Sequence, residues 1–340
     1  MKKSMSKVLV ETMVRKTIRD IREAPERSIR NIVDMALQFS NGRFQKYFFE
    51  TVQVMLQNEK SGYYALIRDV AEHVDSERLL TFGMNLGYNS CTLGAAMIRD
   101  REAKSGFNIP WSVSFEFDDN SFLKCPNRYD AAIEEGEEMG IFSWIFLVRN
   151  NLKKTLRLIA SHPDSAFFVI CEGREITPEI IDRIHMLDNV MLIIKYDDNI
   201  ETICKTLREE KMLYGAYYMY TEKDVESIAN GDLIYTMQQQ HPLVTVFMSD
   251  MSCSKEIRNY VYKLSQKARV SHEYQTIVWD MYGDNCFVDE VISDDACFVY
   301  FDKDGKLCGL DDGVDIERNT LFTNSLQEIL MRAFKKEKNK

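Results

Sequence analysis

The chain has 340 residues, 45% of them hydrophobic and 28% charged, with a net charge of −10. That length allows one large α/β domain with appendages, or two domains, and the composition is that of an ordinary globular protein. The acidic balance argues against a nucleic-acid surface, because phosphate contacts need Lys and Arg. No stretch approaches the roughly 18 apolar residues that cross a bilayer, so no membrane partner is expected. The basic start, MKKSMSKVLVETMVRKT, has no apolar signal-peptide core, and a cytoplasmic location follows. Eight cysteines stand at 91, 125, 171, 204, 253, 286, 297 and 308, without a Cys-x-x-Cys pair, and five histidines lack metal-ligand spacing. Reduced, mostly buried thiols and no zinc site are therefore expected.

Residues 1–75 read as an N-terminal helical region. Val8, Val10, Val14, Ile18 and Ile21 fall on one helix face. Pro25 suits the first turn of a second helix over 26–39, which Asn41-Gly42 would end. A third helix is expected over 43–57 and a fourth over 63–73. The aromatic cluster Phe39, Phe44, Tyr47, Phe48 and Phe49 reads as packing core, or as the surface of a homo-oligomer or partner contact.

From 76 to 272 the pattern changes to alternating strands and helices. The stretch LLTFGMNLGYNSCTLG, Leu79–Gly94, reads as a strand, a loop of Gly and Asn, and a helix capped by Ser90 or Thr92. Further strands are expected over 113–117, 141–148, 166–171, 190–196, 213–220 and 244–248. Helices are expected over 93–104, 127–139, 152–160, 178–187, 200–211, 222–230 and 254–269. Near-continuous apolar strands fit a parallel sheet covered on both faces. The fold class is α/β: an open or complete TIM-like β/α barrel, with the helical region before it. A doubly wound sheet is the alternative, but no Gly-x-Gly-x-x-Gly fingerprint supports it. Residues 273–340 form a C-terminal extension, a β-hairpin in ACFVYFDKDGKLC turning at Asp304-Gly305 and a final helix in SLQEILMRAF.

Strand carboxyl ends form the ligand face in β/α architectures. The site is therefore expected to draw on Asn85, Asn89, Glu116, Glu172, Lys195 and Tyr220. The ligand-binding set is Asn85, Gly87, Asn89, Cys91, Glu172 and Gly173. Glu116, Glu172 and Lys195 are candidates for acid–base chemistry. Cys91 is a candidate nucleophile, since a thiol at a helix N-terminus has a lowered pKa.

Four segments together resemble the radical S-adenosylmethionine superfamily, over about 79–335. TFGMNLGYNSCT stands where that family carries its Cys-x3-Cys-x2-Cys cluster loop, and FVICEGREITPEIIDRI is similar in placement to its Gly-Gly-Glu segment. DDACFVYFDKDGKLC resembles the hairpin of its cysteine-rich extension, and NTLFTNSLQEILM its closing helix. The residues alone call for no cofactor; the resemblance implies S-adenosylmethionine and an iron–sulfur cluster. Only Cys91 is present in the expected loop, where three thiolates are needed, so the chain reads as a diverged member without the three-cysteine loop. Cys286, Cys297 and Cys308 are the remaining candidate metal ligands, one short of the usual four. The resulting expectation is a radical-SAM-like protein that binds a small molecule or partner at the strand ends. The alternatives are an acid–base or thiol enzyme, and an interaction protein acting through its N-terminal helices.

Overall fold

The computed structural model describes residues 5–39, 43–124, 127–293, 295–308 and 318–336. Four helices come first: α1 (Met5–Glu23), α2 (Pro25–Phe39), α3 (Arg43–Gln57) and α4 (Gly62–His73). Next, α5 (Ser76–Gly83) runs straight into a π-helix (Met84–Gly94) and α6 (Ala95–Ser105). The alternating series begins with β1 (Ser112–Phe117), α7 (Ser121–Lys124), α8 (Arg128–Met139), β2 (Ser143–Val148) and α9 (Leu152–Ala160). It continues with β3 (Ala166–Cys171), α10 (Pro178–Ile184), β4 (Val190–Lys195), α11 (Ile200–Glu209) and β5 (Tyr214–Tyr220). Then come α12 (Val225–Ala229), α13 (Asp232–Gln238), β6 (Val244–Ser249), α14 (Lys255–Ser271), β7 (Ile277–Asp280) and α15 (Gly283–Ser293). The hairpin β8 (Val299–Phe301) and β9 (Leu307–Cys308) and the helix α16 (Leu326–Ala333) close the chain.

The strands are ordered β7-β6-β5-β4-β3-β2-β1-β8-β9. Pairing is parallel between β1 and β2, β2 and β3, β4 and β5, β5 and β6, β6 and β7, and β1 and β8; only the β8–β9 hairpin is antiparallel. The architecture is an open, TIM-like β/α barrel sheet with its helices, as the alternating pattern predicts. Two compact units divide it: Met1–Thr81 with Leu192–Asp284, and Phe82–Met191 with Asn285–Lys340.

In the first unit, Ile29, Val33, Leu56 and Tyr64 form a buried cluster among the N-terminal helices, with Ile21, Leu37, Val52 and Ile67 packed on it. Ser61 caps α4, its side chain accepting from Tyr63 N. Of the expected aromatic cluster, Tyr47 is exposed and Phe49 half-buried; the side chains of Phe39, Phe44 and Phe48, and the Asn41-Gly42 stop, lie outside the described residues. Ala216, Tyr220, Phe247 and Val278 from the sheet pack with Ile228, Ile234, Met237, Val261 and Ala268 from the helices.

In the second unit, period-two alternation places Val113, Phe115 and Phe117 of β1 on the helix-covered face, fully buried. They meet an aromatic core: Phe117 lies 4.7 Å from Tyr129 and 4.9 Å from Phe146, and Phe115 5.7 Å from Phe301. Each such pair contributes about 0.5–1.5 kcal/mol beyond area burial. A capping box, Ser325 with Glu328, starts α16. The Asp304-Gly305 turn forms as expected, with Gly305 at φ 68° and Asp302 Oδ1 accepting from the N–H groups of Asp304 and Lys306.

Leu79–Met84 is not a strand. Asp75, rather than Ser90, starts the helix here, its Oδ1 accepting from Glu77 N at 2.9 Å and Arg78 N at 3.1 Å. Leu80, Phe82 and Met84 are buried at every second position, which imitates a strand pattern. Gly83 is helical at φ −62°, and Ser90 Oγ is buried without a hydrogen-bond partner. Elements that escaped the sequence pattern include α7, α13, which Gly231 at φ 84° separates from α12, the four-residue β7, and α15.

Gly94 ends the π-helix against the turn that opens β2. A Cβ there would stand 2.3 Å from Gly140 O, and Gly140 itself holds φ 104°. Gly94→Ala is expected to cost about 1–3 kcal/mol through overpacking, read as a shift of the denaturant midpoint with an unchanged m-value; an unshifted midpoint would show that the close approach is not enforced.

Candidate functional site

The helix-covered face of the second unit's strands is aromatic, so any chemistry belongs to the opposite face and to the strand ends. On β1 that face carries Ser112, Ser114 and Glu116, and Glu116 stands one residue from the carboxyl end. Register places Ser114 beside Tyr300 of β8 and Glu116 beside Leu147 of β2. Arg149 follows directly after β2, and its backbone N–H donates to Phe117 O at 2.9 Å.

Three side chains meet there. Arg149 Nε donates to Glu116 Oε1 at 2.7 Å, and the Tyr300 hydroxyl donates to Glu116 Oε2. Glu116 is 13% exposed while Arg149 is 52% exposed, so the carboxylate sits at the base and the guanidinium reaches solvent. Burial and then the Glu116 carboxylate push the Tyr300 hydroxyl far up, so it stays a proton donor. Across the hairpin, Cys308 pairs with Tyr300 in register, and burial followed by Asp302 raises its thiol. Glu172 follows β3 and binds Arg174 at 2.9 Å, with Gly173 buried at the start of a short 3-10 turn. The cluster can hold a ligand that offers both an acceptor to Arg149 and a donor to a carboxylate.

The expected Asn85–Cys91 set lies elsewhere. Asn85 Nδ2 donates to Pro163 O at 2.8 Å and Ser165 O at 3.0 Å, and Asn89 Nδ2 to Asp164 O at 2.7 Å. Those carbonyls immediately precede Ala166, the first residue of β3, so this segment caps the amino ends of strands. Glu116 and Glu172 stand at the carboxyl ends, and a six-residue strand separates the two levels by about 20 Å. Both Asn85 and the Asn89 amide N–H are engaged in hydrogen bonds, whereas Asn89 Oδ1 is buried without a hydrogen-bond partner, and Gly87 is exposed on the π-helix. Cys91 sits inside a continuous helical run rather than at a helix start. Burial pushes its thiol up to about 12.

Lys195 closes β4 in the first unit, half-buried and paired in register with Tyr217. Tyr220 belongs to the core instead, 1% exposed and 6.4 Å from the Phe247 ring. Of the tail cysteines, Cys286 is near enough to Cys297 to help raise its thiol, after burial and Asp289. Cys297 N donates to Asp289 Oδ2 at 3.1 Å ahead of β8, Cys308 lies across from Tyr300, and Cys286 is on α15. Among the described residues, no three of His, Cys, Asp and Glu form a group that could hold a metal ion. Arg149 and Tyr300 were missed by the sequence reading. Arg149 had a signal, as the first charged residue after an apolar strand, but Tyr300 needed the β1–β8 pairing.

No protein-family model matches the chain, and no curated protein sequence matches it. Among solved structures it is similar to SuiB of Streptococcus suis bound to the precursor peptide SuiA, with TM-score 0.50 and 8% identity, covering 68% of this chain and 67% of that one. It is likewise similar to SuiB bound to S-adenosylmethionine, with TM-score 0.51 and 9% identity, covering 68% and 66%. The chain thus spans about two thirds of SuiB's length, and at this identity the likeness is one of fold. The fold is like that of SuiB. Among the described residues, no helix is long and apolar enough to cross a membrane.

Two outcomes follow. Cys91 is expected to react with iodoacetamide at pH 7.5 at least about tenfold more slowly than a free thiol, because the thiolate is the nucleophile; peptide mass spectrometry of the native chain reads the rate, and preferential labelling of Cys91 would refute it. Asp280, at the end of β7, is pushed up to about 7, mainly by burial, with Asp284 adding and the Gly283 and Tyr282 N–H groups opposing. A folded pKa above the ordinary aspartate value of 3.8 means that the folded state holds the proton more tightly. Its stabilisation is complete below about 3.8 and is lost as pH rises through about 7. Asp280→Asn, which keeps the acceptor for Gly283 N at 2.7 Å, should flatten the fall in unfolding free energy between pH 4 and 7. An unchanged slope in urea titrations would count against it.

Proposed function

We propose that this chain is a radical-SAM-like scaffold that works without the four-iron cluster and binds a small zwitterionic molecule or a peptide at the carboxyl ends of β1, β2 and β8. One observation carries the first half. The first strand of the sheet is Ser112–Phe117, so the loop that opens the β/α series is the one after Phe117. On the spacing Cys-x3-Cys-x2-Cys, that loop offers Ser121, Cys125 and Arg128: one thiol where three are needed. Cys125 lies outside the described residues. The Ser121 hydroxyl is already used, its oxygen accepting from Asp118 N at 3.1 Å and its hydrogen within reach of Lys303 O at 2.8 Å and Asp118 Oδ1 at 3.0 Å. This donor set does not fit an iron–sulfur cluster.

The second half rests on Glu116, Arg149 and Tyr300. Arg149 would take a ligand carboxylate, while Glu116 and Glu172 would take an ammonium. Leu147 and Ile170, paired in register on the same face, would flank an apolar portion. Such a donor set fits the amino-acid moiety of S-adenosylmethionine or the backbone of a short peptide, the two kinds of molecule bound in the SuiB structures. The residues of this chain then bind and orient, with the Tyr300 hydroxyl holding Glu116 in place.

Protein purified without oxygen is expected to carry well under one iron per chain; about four irons with matching acid-labile sulfide would overturn the reading. Titration calorimetry with S-adenosylmethionine, alongside native mass spectrometry for a retained ligand, tests the binding face. Arg149→Gln should weaken binding by about tenfold or more, since a charge-assisted hydrogen bond is worth about 1.5–3 kcal/mol. Equal affinity in the variant would remove Arg149 from the site.

A further inference from the structure

One edge of the sheet belongs to β7, and among the described residues no strand pairs with its outer side. The ladder with β6 fixes which groups are left over. Ile277 N donates to Leu243 O at 3.0 Å, and Met281 N to Phe247 O at 2.9 Å. Odd-numbered residues therefore bond to β6, and the N–H and C=O groups of Val278 and Asp280 point away from it. An open edge of this kind is a template for another strand. The residues suit that use: Thr276, Ile277, Val278 and Trp279 are β-branched or aromatic, and Ile277 and Trp279 are only half-buried.

Two side chains of the first unit fill the edge. Arg269, in the last turn of α14, donates from Nη1 to Val278 O at 2.5 Å. Asp284, in the first turn of α15, accepts from Asp280 N at 2.7 Å through Oδ2. The two also grip each other, Nη1 donating to Oδ2 at 2.7 Å and Nη2 to Oδ1 at 2.5 Å. In a parallel ladder, one residue of a neighbouring strand would donate to the carbonyl before Trp279 and accept from the amide after it. The ion pair supplies that donor and that acceptor at the same two atoms. Its placement is built into the packing, because a Cβ on Gly283 would stand 2.5 Å from the Tyr262 ring of α14. Only glycine lets α15 start close enough to bring Asp284 to Arg269. Arg269 is 18% and Asp284 3% exposed, and the guanidinium carbon lies 6.0 Å from the centroid of the Trp279 ring. For stability alone, apolar side chains of similar volume often do as well as a buried ion pair. They could not meet Val278 O and Asp280 N.

We propose that the Arg269–Asp284 pair stands in for a neighbouring strand and keeps the β7 edge from pairing with the β7 edge of a second copy of this chain. A second copy is the occupant held off, because every molecule carries the same apolar strand and two such edges can meet antiparallel about a two-fold axis. For that to happen both side chains would have to leave the edge, and two charges now met by each other would lose their partners. The pair thus acts on association between molecules.

Sedimentation velocity of the full chain over about 1–100 μM, a range in which exposed strand edges associate, tests this. Arg269→Met combined with Asp284→Leu removes both charges together, so that no lone charge is left buried. The double variant is expected to self-associate at least about tenfold more tightly than the parent chain, since Val278 O and Asp280 N then gain partners only across the edge. Adding Ile277→Lys should restore the parent's behaviour, because it sets like charges on the edges of both copies. A double variant that associates no more tightly than the parent, or association that survives Ile277→Lys, would overturn the proposal. Hydrogen exchange of the parent chain keeps the test intact if the double variant fails to fold. There the Asp280 amide is expected to exchange at least about a hundredfold more slowly than an unstructured amide. Exchange at the unstructured rate would show that the edge is open and the pair holds nothing off.

Discussion

Four consecutive carbonyls, those of His162, Pro163, Asp164 and Ser165, are the point on which the second unit depends. Three asparagine amides bind them: Asn85 takes Pro163 and Ser165, Asn89 takes Asp164, and Asn189 takes His162 at 3.0 Å and Ser165 at 3.2 Å. His162 and Ser165 are buried, and an orphaned polar group there costs about 1–3 kcal/mol, so their carbonyls have to be met by side chains where no ladder reaches them. The His162 ring is clamped as well, 3.1 Å from Asp130 and 3.5 Å from Glu137. Burial acts to lower its pKa, and the bonds to Glu137 and Asp130 outweigh it, leaving the imidazole above its ordinary value. This knot fixes where β3 begins, and through β3 where Glu172 ends up.

The knot also explains the π-helix. Asn85 and Asn89 must both face the 163–165 segment, and Asn89 Nδ2 donates to Asn85 Oδ1 at 3.0 Å as well. Gly94 must approach Gly140 O closely enough that no side chain fits. Widened helical turns recur where a helix is bent to such local demands, often near functional positions. Here Asn85 and Asn89 pair with carbonyls and Gly94 packs closely against Gly140.

The strand-end cluster follows from the same order. With β3 anchored below and β1 paired to β2 and β8, Tyr300, in register with Ser114, and Arg149, just past the end of β2, both reach the Glu116 carboxylate. A carboxylate buried at the base of a site needs its charge met, and Arg149 meets it while the Tyr300 hydroxyl satisfies the second oxygen. The arrangement is rigid at Glu116 and open at Arg149, as suits recognition. The helix-covered face is filled mainly by rings, those of Phe115, Phe117, Tyr129, Trp144, Phe146 and Phe301, all fully buried.

The alternation of apolar runs with helical stretches was enough to predict the open barrel, six of its strands to within about two residues, the hairpin turn and the final helix. Those features follow from local period, capping and turn chemistry, which a sequence displays directly. Leu79–Met84 was misread because burial at every second position suits a strand as well as a helix end, and only the Asp75 cap separates the two. The carboxyl-end rule drew Glu116 and Glu172 from the chain. It also drew Asn85, because the misplaced first strand put that loop at the wrong end of the sheet. Arg149 and Tyr300 are 151 positions apart, and only the pairing of β1 with both β2 and β8 brings them to one carboxylate. Local sequence determined which residues became strands, turns and helices. Register between distant strands, set by buried contacts that no local pattern encodes, decided which of them share a site.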